Sequence, residues 1–130
     1  MAGYTIVNRD EAVDAMKQYP GFGEMRMYTP ELNSDRVAFT WRQMPEGTGG
    51  RGSYGHRHPG QEEIYFVISG KATFKVGDDV FEAGPKSAVR MTGEEFYSVH
   101  NDTDADVELM LMSTRLSEPP NERQEDFWPE

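Results

Sequence analysis

Two of the three histidines in this chain, His56 and His58, stand one residue apart in the stretch GSYGHRHPGQEEIYFVISG, and two glutamates, Glu62 and Glu63, follow close behind. On a strand, side chains two residues apart share a face with backbones roughly 6.5 to 7 Å apart, so the two imidazoles are able to tilt toward one point. Pro59 and Gly60 bring turn chemistry that predicts a return as a neighbouring antiparallel strand, with one of the glutamates, not both, opposite the histidines. Two imidazoles and a carboxylate form a donor set with open positions, suited to a divalent first-row transition metal: Fe, Mn, Ni, Co, Cu or Zn. The same residues would also suit a solvated edge strand. The surroundings separate the two readings, because Ile64 to Ile68 is apolar at every position and reads as a strand buried on both faces. A carboxylate at the head of such a strand must be paired or metal-bound, since an isolated buried charge is strongly unfavourable.

The elements that must position this set are short strands. From Arg36 onward, runs of four to eight residues rich in Val, Ile, Phe, Tyr and Thr alternate with Gly, Pro, Asp and Asn clusters. Strands are predicted near Val37 to Met44, Ser53 to His58, Glu63 to Ile68, Ala72 to Val76, Asp79 to Glu82, Ala88 to Met91, Tyr97 to Asn101 and Val107 to Ser113. Such spacing predicts an all-β sandwich or barrel. Asn8 and Glu11 stand at capping-box spacing before an apolar pattern from Ala12 to Tyr19, which predicts a short N-terminal helix over about 9–19. The whole of 1–130 reads as one domain, with a barrel core over about 37–113 and a tail over 114–130. From Glu118 the tail is acidic and Pro-rich, yet it carries Phe127 and Trp128, which are expected to dock on the body or on a partner subunit.

Composition narrows the functions. The chain has no cysteine, which excludes disulfides, zinc ribbons and thiol catalysis. With 23 acidic against 13 basic residues its net charge is −10, a field that repels phosphate backbones and predicts no nucleic-acid partner. No run approaches the roughly 20 apolar residues that span a bilayer. The N-terminal residues lack the apolar segment of a leader, and a cytoplasmic protein with no membrane partner is expected.

The stretch resembles the first conserved motif of the cupin superfamily, G(x)5HxH(x)4E(x)6G, met at every spacing by Gly50, His56, His58, Glu63 and Gly70. The spacing selects Glu63 over Glu62. The resemblance covers roughly Val37 to Ser113 and implies a small double-stranded β-helix, or jelly-roll barrel, with a metal held by His56, His58 and Glu63. The second motif, G(x)5PxG(x)2H(x)3N, is degenerate: aligned without gaps, Lys86, Thr92, Glu94 and Tyr97 replace its glycine, proline, second glycine and histidine, and only Asn101 survives. Tyr97 therefore stands where a fourth ligand is usual, as a barrel-lining aromatic, as a proton donor beside a three-ligand metal and so a candidate catalytic residue, or as a phenolate ligand. His100, three positions on, falls on the opposite face by strand alternation and is expected at the surface. If Glu63 points inward, Tyr65 and Val67 do as well, and Phe39, Trp41 and Gln43 are the candidates to line the same cavity from the preceding strand.

The function these residues suggest is a metal-dependent enzyme acting on a small organic molecule, of oxygenase type with non-haem iron or of isomerase type. The alternative is a non-catalytic barrel that binds or senses a small ligand. The resemblance further implies a homodimer, for which the Ile64, Phe66, Ile68 face and the Phe127, Trp128 tail offer apolar surface.

Overall fold

The computed structural model describes residues 3–116 and 120–130. Its strands run in chain order β1 (Val13–Asp14), β2 (Glu24–Met27), β3 (Val37–Met44), β4 (Ser53–Arg57), β5 (Glu63–Ser69), β6 (Ala72–Val76), β7 (Asp79–Ala83), β8 (Ala88–Met91), β9 (Tyr97–His100), β10 (Val107–Thr114) and β11 (Glu122–Trp128). The β-branched and aromatic runs from β3 to β10 form strands where the pattern predicts them. Two antiparallel sheets result, one in the order β1-β2-β3-β10-β5-β8 and the other in the order β11-β4-β9-β6-β7. They face each other as the walls of a jelly-roll barrel, the all-β fold that the resemblance implies, with one short α-helix at Thr29–Leu32. Met44, Tyr65, Val67, Phe74, Tyr97 and Leu109 are among the side chains that fill the space between them.

Three segments depart from the sequence pattern. The N-terminal helix predicted over about 9–19 is confined to one 3-10 turn, Arg9–Glu11, where the Glu11 carboxylate accepts the Asn8 N–H. Beyond it the chain turns extended because Val13 and Asp14 pair with Met27 and Arg26, and the Asp14 carboxylate accepts the N–H groups of Met16 and Met25. Sheet pairing overrides a weak helical preference. The tail, of which Glu118 and Pro119 lie outside the described residues, forms β11 along β4 and delivers Phe127 and Trp128, both buried, onto the outer side of the five-stranded sheet. They dock on the body. The turn at Pro59 and Gly60, closed by Gln61 N–H to His58 O at 3.0 Å, is a corner and not a hairpin. It carries the chain from β4 in one sheet to β5 in the other, so Glu63 stands on the sheet that faces the histidines.

Candidate functional site: a polar cluster at one end of the barrel

His56 lies within β4 directly opposite Tyr97 of β9, and their rings stand 4.7 Å apart. His58, just beyond the strand, has its ring centre 5.1 Å from that of His56. From the facing sheet, Glu63 at the head of β5 accepts the Tyr97 hydroxyl proton through Oε1. Tyr65, two residues along β5, packs edge-on to Tyr97 at 5.9 Å and to Phe74 at 5.6 Å, which fixes the tyrosine ring from behind. The structure thus brings His56, His58, Glu63 and Tyr97 together at one end of the barrel.

Burial governs the electrostatics. Desolvation, reinforced by the neighbouring His58, Arg42 and Arg123, pushes His56 down to about 4, leaving a neutral imidazole at neutral pH. Burial also raises Glu63, against the opposing Tyr97 hydrogen bond and His58. Tyr97 is held far above the ordinary phenol range, first by burial and then by Tyr65 and Glu63, so it stays protonated and donates.

The donor chemistry fits a divalent ion in two respects. Imidazole nitrogens about 2.1 Å from one ion, at tetrahedral or octahedral angles, put ring centres roughly 4.5 to 5.3 Å apart, and 5.1 Å falls in that range. With its proton on Nδ1, His58 donates to the Pro120 carbonyl at 3.1 Å, the backbone bond that typically orients a ligating histidine and leaves Nε2 its lone pair. Among the described residues, however, no three His, Asp or Glu side chains form a closed ligand cluster, the Glu63 carboxylate being turned to Tyr97.

Sheet register reassigns the cavity lining. Leu109 pairs with Arg42 on one side and with Val67 on the other, and Leu111 pairs with Thr40 and Tyr65. Directly paired residues share a face, so Thr40, Arg42 and Met44 face inward with Tyr65 and Val67. Phe39, Trp41 and Gln43 lie on the outer face, where Trp41 donates to Glu108 and Gln43 to Asp106. Strand alternation predicts Phe39, Trp41 and Gln43 as the inward residues of β3. The register inverts this, placing an arginine where the pattern predicts a tryptophan.

Next to His56 opens a cavity of about 570 Å³. Arg42 and His56 reach its inner wall, Arg123 and Tyr54 stand on one side, and Met16, Tyr19, Phe22 and Met25 form an apolar side supplied by the N-terminal segment. Arg42 and Arg123 are the functional candidates that sequence reading missed. The available signal was an arginine in the middle of an otherwise apolar strand.

The model of the cupin domain family matches residues 43–113, more than half of the chain. This chain belongs to the cupin domain family. Solved structures with the same fold include a sugar phosphate isomerase of the cupin superfamily from Silicibacter pomeroyi, 15% identical with a TM-score of 0.75 over 92% of this chain and 82% of that one. The polyketide cyclase RemF from Streptomyces resistomycificus is 19% identical, with a TM-score of 0.72 over 95% and 85%. A cupin protein from Bacteroides fragilis is 15% identical, with a TM-score of 0.71 over 90% and 88%. Among curated proteins the chain has no match.

In this cupin the glycines of the first motif serve close approach. A Cβ on Gly50 would fall 1.8 Å from Ser98 Oγ, and the Gly50 N–H donates to Val99 O at 2.9 Å, which ties the loop before β4 to β9. The second motif persists in its backbone. Lys86, at the first glycine position, keeps the left-handed conformation at φ 68°. The role of the second glycine falls to Gly93, one residue before Glu94: its φ is 90°, and a Cβ there would lie 2.5 Å from His58 O. Asn101 is fully buried and serves structure, donating to Met44 O and Ala105 O while accepting from Thr103.

His100 does face away from Tyr97, but it is 8% exposed and not at the surface. Trp128 covers it, with ring centres 6.1 Å apart, and its Nδ1 accepts the Arg51 N–H at 3.2 Å. Beside it Arg51 forms a two-bond pair with Asp102, 2.8 Å each, and lies over the Trp128 ring.

Proposed function

We propose that His56, His58 and Glu63 hold a divalent first-row metal, and that the site acts on a small organic molecule in the adjoining cavity by moving a proton next to a carbonyl group. The observation that carries this reading is the convergence of two imidazoles, one of them backbone-oriented, with a carboxylate and a protonated phenol, beside a cavity that His56 lines. When bound, the ion would polarise a substrate oxygen and stabilise the negative charge that develops there. The chain's own residues do the remainder. Pro120 orients His58, Tyr65 fixes the ring of Tyr97, and Tyr97 keeps its proton on the phenolic oxygen beside Glu63, placed to donate it. An isomerase of sugar phosphates and a polyketide cyclase share the fold, and proton transfer of this kind is common to isomerising and cyclising chemistry.

One observation favours a second reading. The Tyr97 hydroxyl is already committed to Glu63, which suits a barrel that binds a ligand without turning it over. Elemental analysis of the untagged protein beside His58→Ala tests the metal. Stoichiometric metal in the first and its loss in the second are expected; no metal in either, after incubation with Fe, Mn, Ni and Zn salts, sinks the metal reading. Exchange of substrate protons with deuterated water then separates turnover from binding.

The chain is also proposed to pair with a second copy through the outer face of the six-stranded sheet. Phe39, Trp41, Ile64, Phe66, Met110 and Met112 share that face by register, and such an apolar surface is one that a partner covers. Light scattering is expected to give twice the chain mass, and Phe66→Glu the chain mass itself. A monomer at micromolar concentration in the unaltered protein would overturn the pairing.

A further inference from the structure

The cavity beside His56 carries a cation without an anion. Arg42 reaches it from the middle of β3, flanked in the sheet by Met25 on one side and Leu109 on the other. Its Nε is fully enclosed and has no hydrogen-bond partner, and among the described residues the guanidinium makes no ion pair. The titratable groups that act on it are the phenols of Tyr65 and Tyr54. Composition makes this notable, because the chain has 23 carboxylate side chains against 13 Lys and Arg, and Arg26, Arg51, Arg57 and Arg90 each hold one. A half-buried guanidinium whose Nε is enclosed and unbonded, and which has no counter-charge, is destabilising. A residue kept there at that cost suits a charge that arrives from outside.

The second cation is Arg123 of β11, which stands directly opposite His56 in the β4 ladder and lies over the Tyr54 ring at 3.7 Å. Arg123 is half-exposed and shared with Glu125, so it attracts at the mouth while Arg42 waits inside. Met16, Tyr19, Phe22 and Met25 offer thioethers and rings, and besides His56 the remaining neutral polar side chains of the lining are Ser53, Ser98 and Tyr54, with no Asn or Gln.

We infer that the cavity takes an organic carboxylic acid with an apolar, aromatic-sized body, its carboxylate seated on Arg42 and its body against the Met16–Met25 segment. The planar guanidinium matches a carboxylate with two parallel hydrogen bonds. The inference deepens the proposed function by naming a ligand class for the same cavity, and it rests on that reading only for the place where the ligand sits.

Calorimetric titration of the unaltered protein with 3-phenylpropionate, 3-phenylpropanamide and glucose 6-phosphate tests it, once as purified and once after chelation and dialysis. The carboxylate is expected to bind at least about tenfold tighter than its amide in both states, and tighter than the sugar phosphate. In Arg42→Met the preference for carboxylate over amide is expected to vanish, with metal content equal to that of the unaltered protein and a melting temperature unchanged or raised. Equal affinity for acid and amide, a preference present only with metal, tighter binding of glucose 6-phosphate, or full carboxylate affinity in Arg42→Met would each overturn the assignment. The acid and amide comparison needs no variant, so it holds even if Arg42→Met fails to fold. Absence of metal with the carboxylate preference intact would sink the metal reading alone.

Discussion

The β4 and β9 strands carry polar clusters on both faces, and the two clusters are built on opposite terms. On the outer face Arg51 and Asp102 grip each other through two hydrogen bonds, His100 accepts an N–H from Arg51, and Trp128 lies over the group. At its edge Asn101 satisfies both ends of its amide. On the inner face, among the described residues, the Arg42 guanidinium makes no ion pair and its Nε no hydrogen bond, and the His56 ring packs against those of His58 and Tyr97. There Glu63 and Tyr97 share one bond. Saturated polar groups stabilise a fold, and unsaturated buried ones cost it stability. The outer cluster therefore reads as a clamp and the inner one as a site kept ready for something the chain does not itself supply.

That contrast is broken or sharpened by substitutions, beginning with the largest effect. Trp128→Ala removes a buried indole that covers His100 and Arg51, and is expected to cost about 3 to 5 kcal/mol in chemical denaturation; a loss below about 1 kcal/mol would show that the tail is not part of the clamp. Asn101→Ala removes the amide bonds to Met44 O and Ala105 O and leaves the Thr103 N–H unpaired near the β9–β10 turn, with an expected loss of about 2 to 3 kcal/mol. On the inner face, Tyr97→Phe removes one hydrogen bond to Glu63 and is expected to cost about 1 to 2 kcal/mol while leaving metal content unchanged. A loss larger than that of Asn101→Ala would make the inner cluster a clamp too, and loss of metal would make Tyr97 a ligand.

The smallest effect is one of pH. The Arg51 hydrogen bonds hold Asp102 down at about 2, below the usual 3.8. A carboxyl whose pKa is depressed by folding adds stability above its unfolded value, and that contribution is lost as pH falls through the folded one. Urea midpoints of the unaltered protein are therefore expected to fall between about pH 4 and pH 2 more steeply than those of Asp102→Asn. Because the pair is about one-third exposed and screened by solvent, the difference is expected to stay under about 1 kcal/mol. Identical slopes would show that the pair contributes nothing.

Much of the fold was legible because it rests on local chemistry. Alternating β-branched and aromatic runs with turn residues between them mark β3 to β10, and the fixed spacing from Gly50 through His56, His58 and Glu63 to Gly70 carries the family resemblance. What was misread depends on partners distant in the chain. Val13 and Asp14 look helical until β2 is beside them. Phe127 and Trp128 are expected to dock, but that the tail does so as a strand is decided by the edge that β4 offers. In VAFTWRQM the alternation is plain, but which half faces inward is decided by Leu109 and Leu111 of β10.

The sequence by itself determined the barrel class, the family, and the set His56, His58, Glu63 and Tyr97 as residues to watch, since strand propensity and motif spacing are properties of neighbouring residues. Only the tertiary structure decided that Glu63 stands on the sheet opposite the histidines and binds Tyr97. It alone placed Trp128 over His100 and turned Arg42 into the cavity. A one-residue change of strand register exchanges every side chain between the two faces of a sheet, and register is set between strands, not within one.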